Sequence, residues 1–294
     1  MNNPIRELID KGQAAQNQAH ADQEVTKRGN LRGGNAGCVT ADGKILGTCH
    51  RVSLARLIGL DKPITADRHI MFNAGDAAED IWAAKLIAGG ATIRRESEIP
   101  VSVEIGGRLV TGRPDIVIGE MVAGAFLPQI GIELKGVYSA STAVKVLLEE
   151  TPDIKHLAQA AFYAMYLGIP YWLCYTNPSV IETPYWAIKK HSAPKKIQPF
   201  YKMFELKWEG ETLHYRDEEQ YEFVETVITK QGIRDYYTLI SELAEKQSLG
   251  PRFEGGTVVG GRSPYNPCEY CDFSKACDKQ TNFVEWKKEL KNET

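Results

Sequence analysis

Two short strand-like runs constrain this chain more than any other feature. Gly112-Arg-Pro-Asp-Ile-Val-Ile-Gly119 and Gly131-Ile-Glu-Leu-Lys-Gly136 are apolar segments bounded by glycines, and each carries charge inside the apolar pattern. Side chains alternate between the faces of a β-strand, so Glu133 and Lys135 share one face while Ile132 and Leu134 share the other and point into a core. Asp115 stands where the run Ile116-Val117-Ile118 begins. Charges on a mostly apolar strand are unfavourable unless they meet partners. A divalent cation is such a partner: Asp115 and Glu133 are hard oxygen donors, and Lys135 holds or helps deprotonate a water beside the ion. Taken alone, Glu133 and Lys135 also fit an ion pair on a solvent face. Asp115, eighteen positions before Glu133 and on a neighbouring strand, turns the pattern toward a metal centre.

The periodicity around these runs predicts an α/β fold. Short and long helices are expected over 51–60 and 70–88. Thr92 to Ile105 then alternates as a strand, Gly106-Gly107 makes a tight turn, and strands follow over 109–118 and 129–137. Helical periods return over 139–150 and 154–167, with further strands over 171–176 and 180–188. Residues 222–247 read as helix, 251–267 as Gly/Pro-rich loop and 283–290 as a terminal helix. The expected architecture is a mixed central sheet flanked by helices. Residues 1–35 are expected as an arm, flexible or helical, and 36–294 as a single domain with its core over about 68–210. No apolar run reaches the roughly 18 residues a membrane helix needs, and no hydrophobic signal segment is visible, which points to a cytoplasmic protein without a membrane partner.

At Pro114-Asp115 and Glu133-Leu134-Lys135 the chain resembles the PD-(D/E)XK nuclease superfamily, with these residues as its PD and its (D/E)XK. The resemblance implies a restriction-endonuclease-like core. It also implies a Mg2+ or Mn2+ site built from Asp115, Glu133 and the main-chain carbonyl of Leu134. Two flanking segments are similar to the RecB-like branch. Gly75-Asp-Ala-Ala-Glu79 lies on the preceding helix, where that branch places a further metal ligand; many members carry histidine there, and here Glu79 holds the position with Asp80 beside it. Gln159 and Tyr163, four apart on the following helix with His156 one turn earlier, match a Gln-x-x-x-Tyr motif that lines the active site and touches DNA. The four pieces run from residue 75 to 163 in the order of that branch.

Six cysteines are too few for a disulfide scaffold in a chain of 294 residues, and three of them cluster as Cys268-x2-Cys271-x5-Cys277. Three thiolates so close repel one another unless a soft metal or cluster holds them. Zinc and a 4Fe–4S cluster both accept such ligands, and the remaining ligand is Cys49, Cys38 or Cys174. The spacing resembles that of RecB-like iron–sulfur nucleases, including the AddB nuclease domain and the CRISPR-adaptation exonucleases. They place one cysteine before the nuclease core, opening a helix with an Arg soon after, and three behind it. Cys49-His50-Arg51 fits that description. The resemblance implies a 4Fe–4S cluster on Cys49, Cys268, Cys271 and Cys277, with 251–294 as the cluster-binding segment that clamps the two ends of the fold.

A net charge of −3, from 35 basic and 38 acidic residues, excludes a protein that coats nucleic acid through bulk charge but not a nuclease with a local basic channel. The stretch 188–202 supplies Lys189, Lys190, Lys195, Lys196 and Lys202 with no acid among them, and reads either as a phosphate-contacting loop or as a solvated one. Tyr185, Trp186, Phe200 and Tyr201 flank it as core aromatics or as platforms for the bases of a single strand. The resemblance implies a metal-dependent DNA exonuclease acting on ends or single strands, in phage or bacterial recombination and repair or in CRISPR adaptation. The alternatives are an RNA-directed nuclease of the same fold and a non-catalytic iron–sulfur DNA-binding scaffold. The chain contains no G-x-x-x-x-G-K-S/T phosphate loop, so unwinding falls to a partner such as a helicase, with a recombinase or a CRISPR-adaptation protein as other expected partners.

Overall fold

The hydrophobic period along the chain changes from helical to alternating and back, and a computed structural model shows what those changes build. It describes residues 30–60, 66–95, 98–250, 277 and 282–292, with 66–72 described by backbone only. Leu31–Arg32 (β1) leads through a 3-10 turn at Gly33–Asn35 into the hairpin Gly37–Val39 (β2) and Ile45–Gly47 (β3). Helices His50–Leu57 (α1) and Ala66–Ala88 (α2) follow. Then come strands Thr92–Arg95 (β4), Val101–Ile105 (β5), Arg108–Gly112 (β6), Ile116–Val122 (β7) and Ala125–Gly136 (β8). Helices Ala140–Leu148 (α3) and Ile154–Leu167 (α4) precede Tyr171–Asn177 (β9), Ile181–Glu182 (β10), helix Tyr185–His191 (α5) and Lys196–Ile197 (β11). The chain continues through Phe200–Glu209 (β12), Thr212–Asp217 (β13), Val224–Thr229 (β14), Lys230–Glu245 (α6) and Phe283–Asn292 (α7).

The centre is a seven-stranded mixed sheet in the order β14-β13-β12-β9-β8-β7-β4. Only β8 and β9 run parallel; every other neighbouring pair is antiparallel. A parallel pair needs a crossover, and α3 and α4 supply it. Helix α4 is well specified locally. The Asp153 side chain caps its first turn by accepting from the Lys155 amide at 2.9 Å, and Gly168 closes it in the left-handed region at φ +67°. Its buried alanines, at 158, 160, 161 and 164, bring the helix close to the sheet. A smaller sheet, β1-β6-β5, lies beside the large one.

Alternation on β8 and β9 sorts two cores. Ile116, Ile132, Leu134 and Cys174 pack with Ala83, Trp82 and Leu86 of α2 on one face. On the other face, Tyr171, Leu173 and Tyr175 join Leu157, Phe162 and Tyr163 of α4 in the main core, which also takes in Tyr236 and Tyr237 of α6 and Trp286 of α7. Among the described residues no helix is long and apolar enough to cross a membrane.

Several expectations are corrected. The strand expected over 92–105 is two strands in different sheets, with Pro100, which has no N–H to offer a ladder, between them. The strand expected over 109–118 breaks at Arg113-Pro114-Asp115 for the same reason: β6 belongs to the small sheet and β7 to the large one. Of the run 180–188 only Ile181–Glu182 is strand; from Tyr185 the chain turns helical, because Pro184 sits just before the first turn of α5, which Ser192, at φ +51°, ends. The loop expected over 188–202 therefore holds the end of α5, β11 and the start of β12. The helix expected over 222–247 splits, since the β-branched run Thr226-Val-Ile-Thr229 lies in strand β14 and only Lys230 onward turns helical. Strands β12 and β13 carry no prior assignment, although their hairpin forms one side of the sheet. The arm expected over 1–35 gives its last residues to the fold, where Leu31 pairs with Val110 and Leu31 and Gly33 are buried. Residues 1–29 of the expected arm, the Gly/Pro-rich loop at 251–267, Cys268 and Cys271 all lie outside the described residues.

Candidate active site

The break at Pro114 sets the geometry of the site. β7 begins at Ile116, paired with Ile132, and one further step of that register brings Asp115 level with Glu133. Asp115 Oδ2 accepts the Leu134 amide at 2.7 Å, so the peptide between Glu133 and Lys135 fixes the neighbouring acid. Glu133 is fully buried. Its Oε1 accepts from Lys135 Nζ at 2.6 Å, while its Oε2 has no hydrogen-bond partner. Glu133 and Lys135 face the α4 side of the sheet, opposite Leu173 and Tyr175 of β9.

Burial pushes the Glu133 carboxyl up from the ordinary range, and the nearby Asp115 pushes the same way; Lys135 opposes both. For Lys135 burial works against the ammonium, but attraction to Glu133, Asp115 and Glu79 outweighs it and holds the pKa above the usual lysine value. The three acids and one lysine therefore form a single electrostatic unit. Glu79 is held by Arg95 of β4, whose guanidinium lies 3.5 Å from Glu79 Oε2 and 2.7 Å from the exposed Asp80. Since Arg95 pairs with Ile116 in register, it brings Glu79 to the Asp115 end of the sheet. Among the described residues no three His, Cys, Asp or Glu side chains close into a ready metal cage. The chemistry of the set nonetheless fits a hard divalent ion: oxygen donors from two strands converge, and one buried carboxylate oxygen has no hydrogen-bond partner.

The α4 residues line the same region, with one correction. Tyr163, expected at a DNA surface, is 2% exposed. Its hydroxyl accepts the Arg113 amide at 3.3 Å and interacts with Gln159, and its ring fills the space over Gly112, where a Cβ would lie 2.5 Å from the ring. Burial, then Glu133 and Asp115, push its phenol pKa up, so Tyr163 stays neutral and braces the Arg113–Asp115 corner. Gln159 is half-buried beside Gly34. His156 hydrogen-bonds the Tyr175 hydroxyl at 3.1 Å.

The basic stretch is less free than its composition suggests. Lys190 pairs with Glu149 at 2.7 Å and Lys196 with Glu182 at 3.4 Å. Lys202 is buried against Asp217 at 2.6 Å, which removes it from any phosphate surface. Lys189 lies 4.9 Å over the Tyr185 ring, and Lys195 is exposed. Tyr185, Trp186 and Tyr201 are exposed, whereas Phe200 packs on the core.

The cysteines separate by burial. Cys38 is buried, with its thiol pushed up to about 11, chiefly by burial, and Cys174 is buried and pushed up for the same reason. Cys49 is half-buried, stands at the N-cap position of α1 and packs, like Cys277, on the main core. Beside it, His50 Nε2 meets the Leu249 carbonyl at 3.1 Å and Arg51 donates to the Gly250 carbonyl at 3.1 Å. The chain thus leaves the described core at residue 250 next to Cys49.

Sequence reasoning missed Arg95, the cradles at Gly112 and Gly131, and Tyr171. A Cβ on Gly131 would lie 2.1 Å from the Tyr171 ring. A glycine inside a strand is a signal of such close approach. No model of a known protein family matches the chain, and no curated protein matches it.

Proposed function

We propose that this protein is a metal-dependent nuclease of the RecB-like PD-(D/E)XK type that hydrolyses DNA phosphodiester bonds, acting on ends or single strands. One observation carries the reading: Asp115, just before β7, and Glu133 of β8 stand at one level beside Lys135, with a fully buried carboxylate oxygen on Glu133 that has no hydrogen-bond partner. The order of α2, the antiparallel pair β7–β8, α4 and the parallel strand β9 supports it.

Asp115, Glu133 and the Leu134 carbonyl would hold Mg2+ or Mn2+, with Glu79 assisting. Such an ion supplies Lewis acidity to the scissile phosphate and lowers the pKa of an attacking water. The chain's own part is positional. The Leu134 amide fixes Asp115, Arg95 steers Glu79, and Tyr163 props the Arg113 backbone against α4. Lys135, held protonated, offsets negative charge developing on a phosphate. Lys189 and Lys195, with Tyr185 and Trp186, form the exposed surface best suited to a strand.

A 4Fe–4S cluster on Cys49, Cys268, Cys271 and Cys277 completes the reading as a structural clamp. Cys49 suits it because it is half-buried at the start of α1, while burial keeps Cys38 and Cys174 protonated. His50 and Arg51 support it too, holding the backbone at Leu249 and Gly250 where the cysteine-bearing segment departs.

The test uses protein purified without oxygen, supplied with Mn2+ and offered end-labelled linear and circular DNA and RNA, single- and double-stranded. Release of label from linear DNA with circles left intact is the expected result. Cutting of RNA alone replaces the substrate, and binding without any cutting replaces the enzyme with a scaffold.

A further inference from the structure

Tyr171 opens β9 directly after Pro170 and is fully buried. Its ring is fixed on two sides. Gly131 of β8 faces it with no room for a Cβ, and the Gly131 amide donates to the Pro170 carbonyl at 2.9 Å, which locks the two strand starts together. Tyr163 stacks on it with ring centroids 6.1 Å apart and planes 28° from parallel. So held, the phenol points its hydroxyl at Glu133, the side chain it interacts with directly, yet the hydroxyl makes no hydrogen bond of good geometry. Glu133 Oε2 has none either.

A buried hydroxyl is unfavourable unless it meets a partner, and the group this one faces is Glu133. Phenylalanine would fill the same slot between Gly131 and Tyr163 without that requirement. The hydroxyl is therefore hard to explain by packing, and the group it faces is the acid assigned to the ion.

We propose that Tyr171 is a positioning residue of the acid site, whose hydroxyl orients the Glu133 carboxylate for a divalent cation. The inference rests on the reading of Glu133 as a metal ligand. Partners in this layer fix a ligand's orientation, and removing one typically weakens metal binding by about 10- to 100-fold.

The experiment is calorimetric titration of the full chain with Mn2+ alone, together with urea unfolding of the metal-free protein. Tyr171→Phe is expected to unfold at the same or a higher urea concentration than wild type, and to bind Mn2+ at least about tenfold more weakly. In a Glu133→Gln background the same change is expected to leave the residual Mn2+ affinity where it was, because the hydroxyl has lost the carboxylate it acts through. An unchanged Mn2+ affinity in Tyr171→Phe, or an equal loss in both backgrounds, overturns the proposal and makes Tyr171 a core residue only. If Glu133→Gln itself binds Mn2+ like wild type, the metal site fails first, on a measurement that does not involve Tyr171.

Discussion

Lys135 Nζ lies 2.6 Å from Glu133 Oε1, two residues away on the same strand, and the carboxylate it meets is wholly removed from water. Neither charge is stable there alone. Removing one partner of a buried pair commonly destabilises by about 3–5 kcal/mol, because the other charge is left uncompensated. Lys135→Met is therefore expected to lower the stability of the metal-free protein by that amount. Lys135→Met with Glu133→Leu is expected to recover most of it, since apolar replacement of both partners removes the stranded charge. Urea denaturation of the two variants checks this. Equal loss in single and double variants would mean that packing, not charge, holds the strand.

Gly131 and Gly112 each face an aromatic ring at a distance no Cβ tolerates, 2.1 Å for Tyr171 and 2.5 Å for Tyr163. Both rings are buried, so neither can swing aside. Gly131→Ala is expected to destabilise by about 1–3 kcal/mol through overpacking. Combining it with Tyr171→Leu, which vacates the ring's position, is expected to relieve much of that loss. A thermal melt of the four proteins in the cycle tests it; strictly additive losses would count against the contact.

His156 gives a pH dependence with a definite sign. Burial first, then the positive charges of Lys135, Lys155 and Lys145, hold its pKa well below the ordinary imidazole range; Asp153 opposes them. The folded protein keeps the ring neutral, so its contribution is complete above the unfolded value of about 6.5 and is lost as pH falls toward the folded value. One such group steepens the acid limb by at most about 1.4 kcal/mol per pH unit. His156→Asn, whose amide retains a partner for the Tyr175 hydroxyl, is expected to flatten the stability curve between about pH 6.5 and 4. An unchanged slope would show that other groups carry the acid limb.

The cysteines give a test by iron content. Cys49→Ser is expected to lose iron and the brown absorbance of protein purified without oxygen. Cys38→Ser is expected to keep both, because the Cys38 thiol is buried with its pKa near 11 and contacts the Val39 and Val227 carbonyls. Iron retained in Cys49→Ser and lost in Cys38→Ser would reassign the clamp. A colourless, zinc-loaded wild type would replace the cluster.

Much of the site was legible because strand alternation is strict. Once Ile132 and Leu134 face a core, Glu133 and Lys135 share the other face, and no tertiary knowledge is required. Helix α4 follows from its helical period, and the Asp153 cap and closing Gly168 seen in the structure agree with it. What was not legible depends on partners distant in sequence. Tyr163 reads as an accessible polar residue until Gly33 and Gly112 close over it. The Lys189–Lys202 stretch reads as free charge until Glu149, Glu182 and Asp217 arrive from elsewhere in the chain. The β12–β13 hairpin is not legible because its strands mix charged and aromatic residues, and only the pairing of β12 with β9 and of β13 with β12 gives them a buried face.

The most direct test of the central claim compares wild type with Glu133→Gln on end-labelled linear DNA in Mn2+, after both proteins are shown to be folded with equal iron content. Wild type is expected to release label, and Glu133→Gln to release it at least about a hundredfold more slowly, since it loses a ligand outright rather than a supporting contact. Equal cleavage by the two proteins would contradict the account.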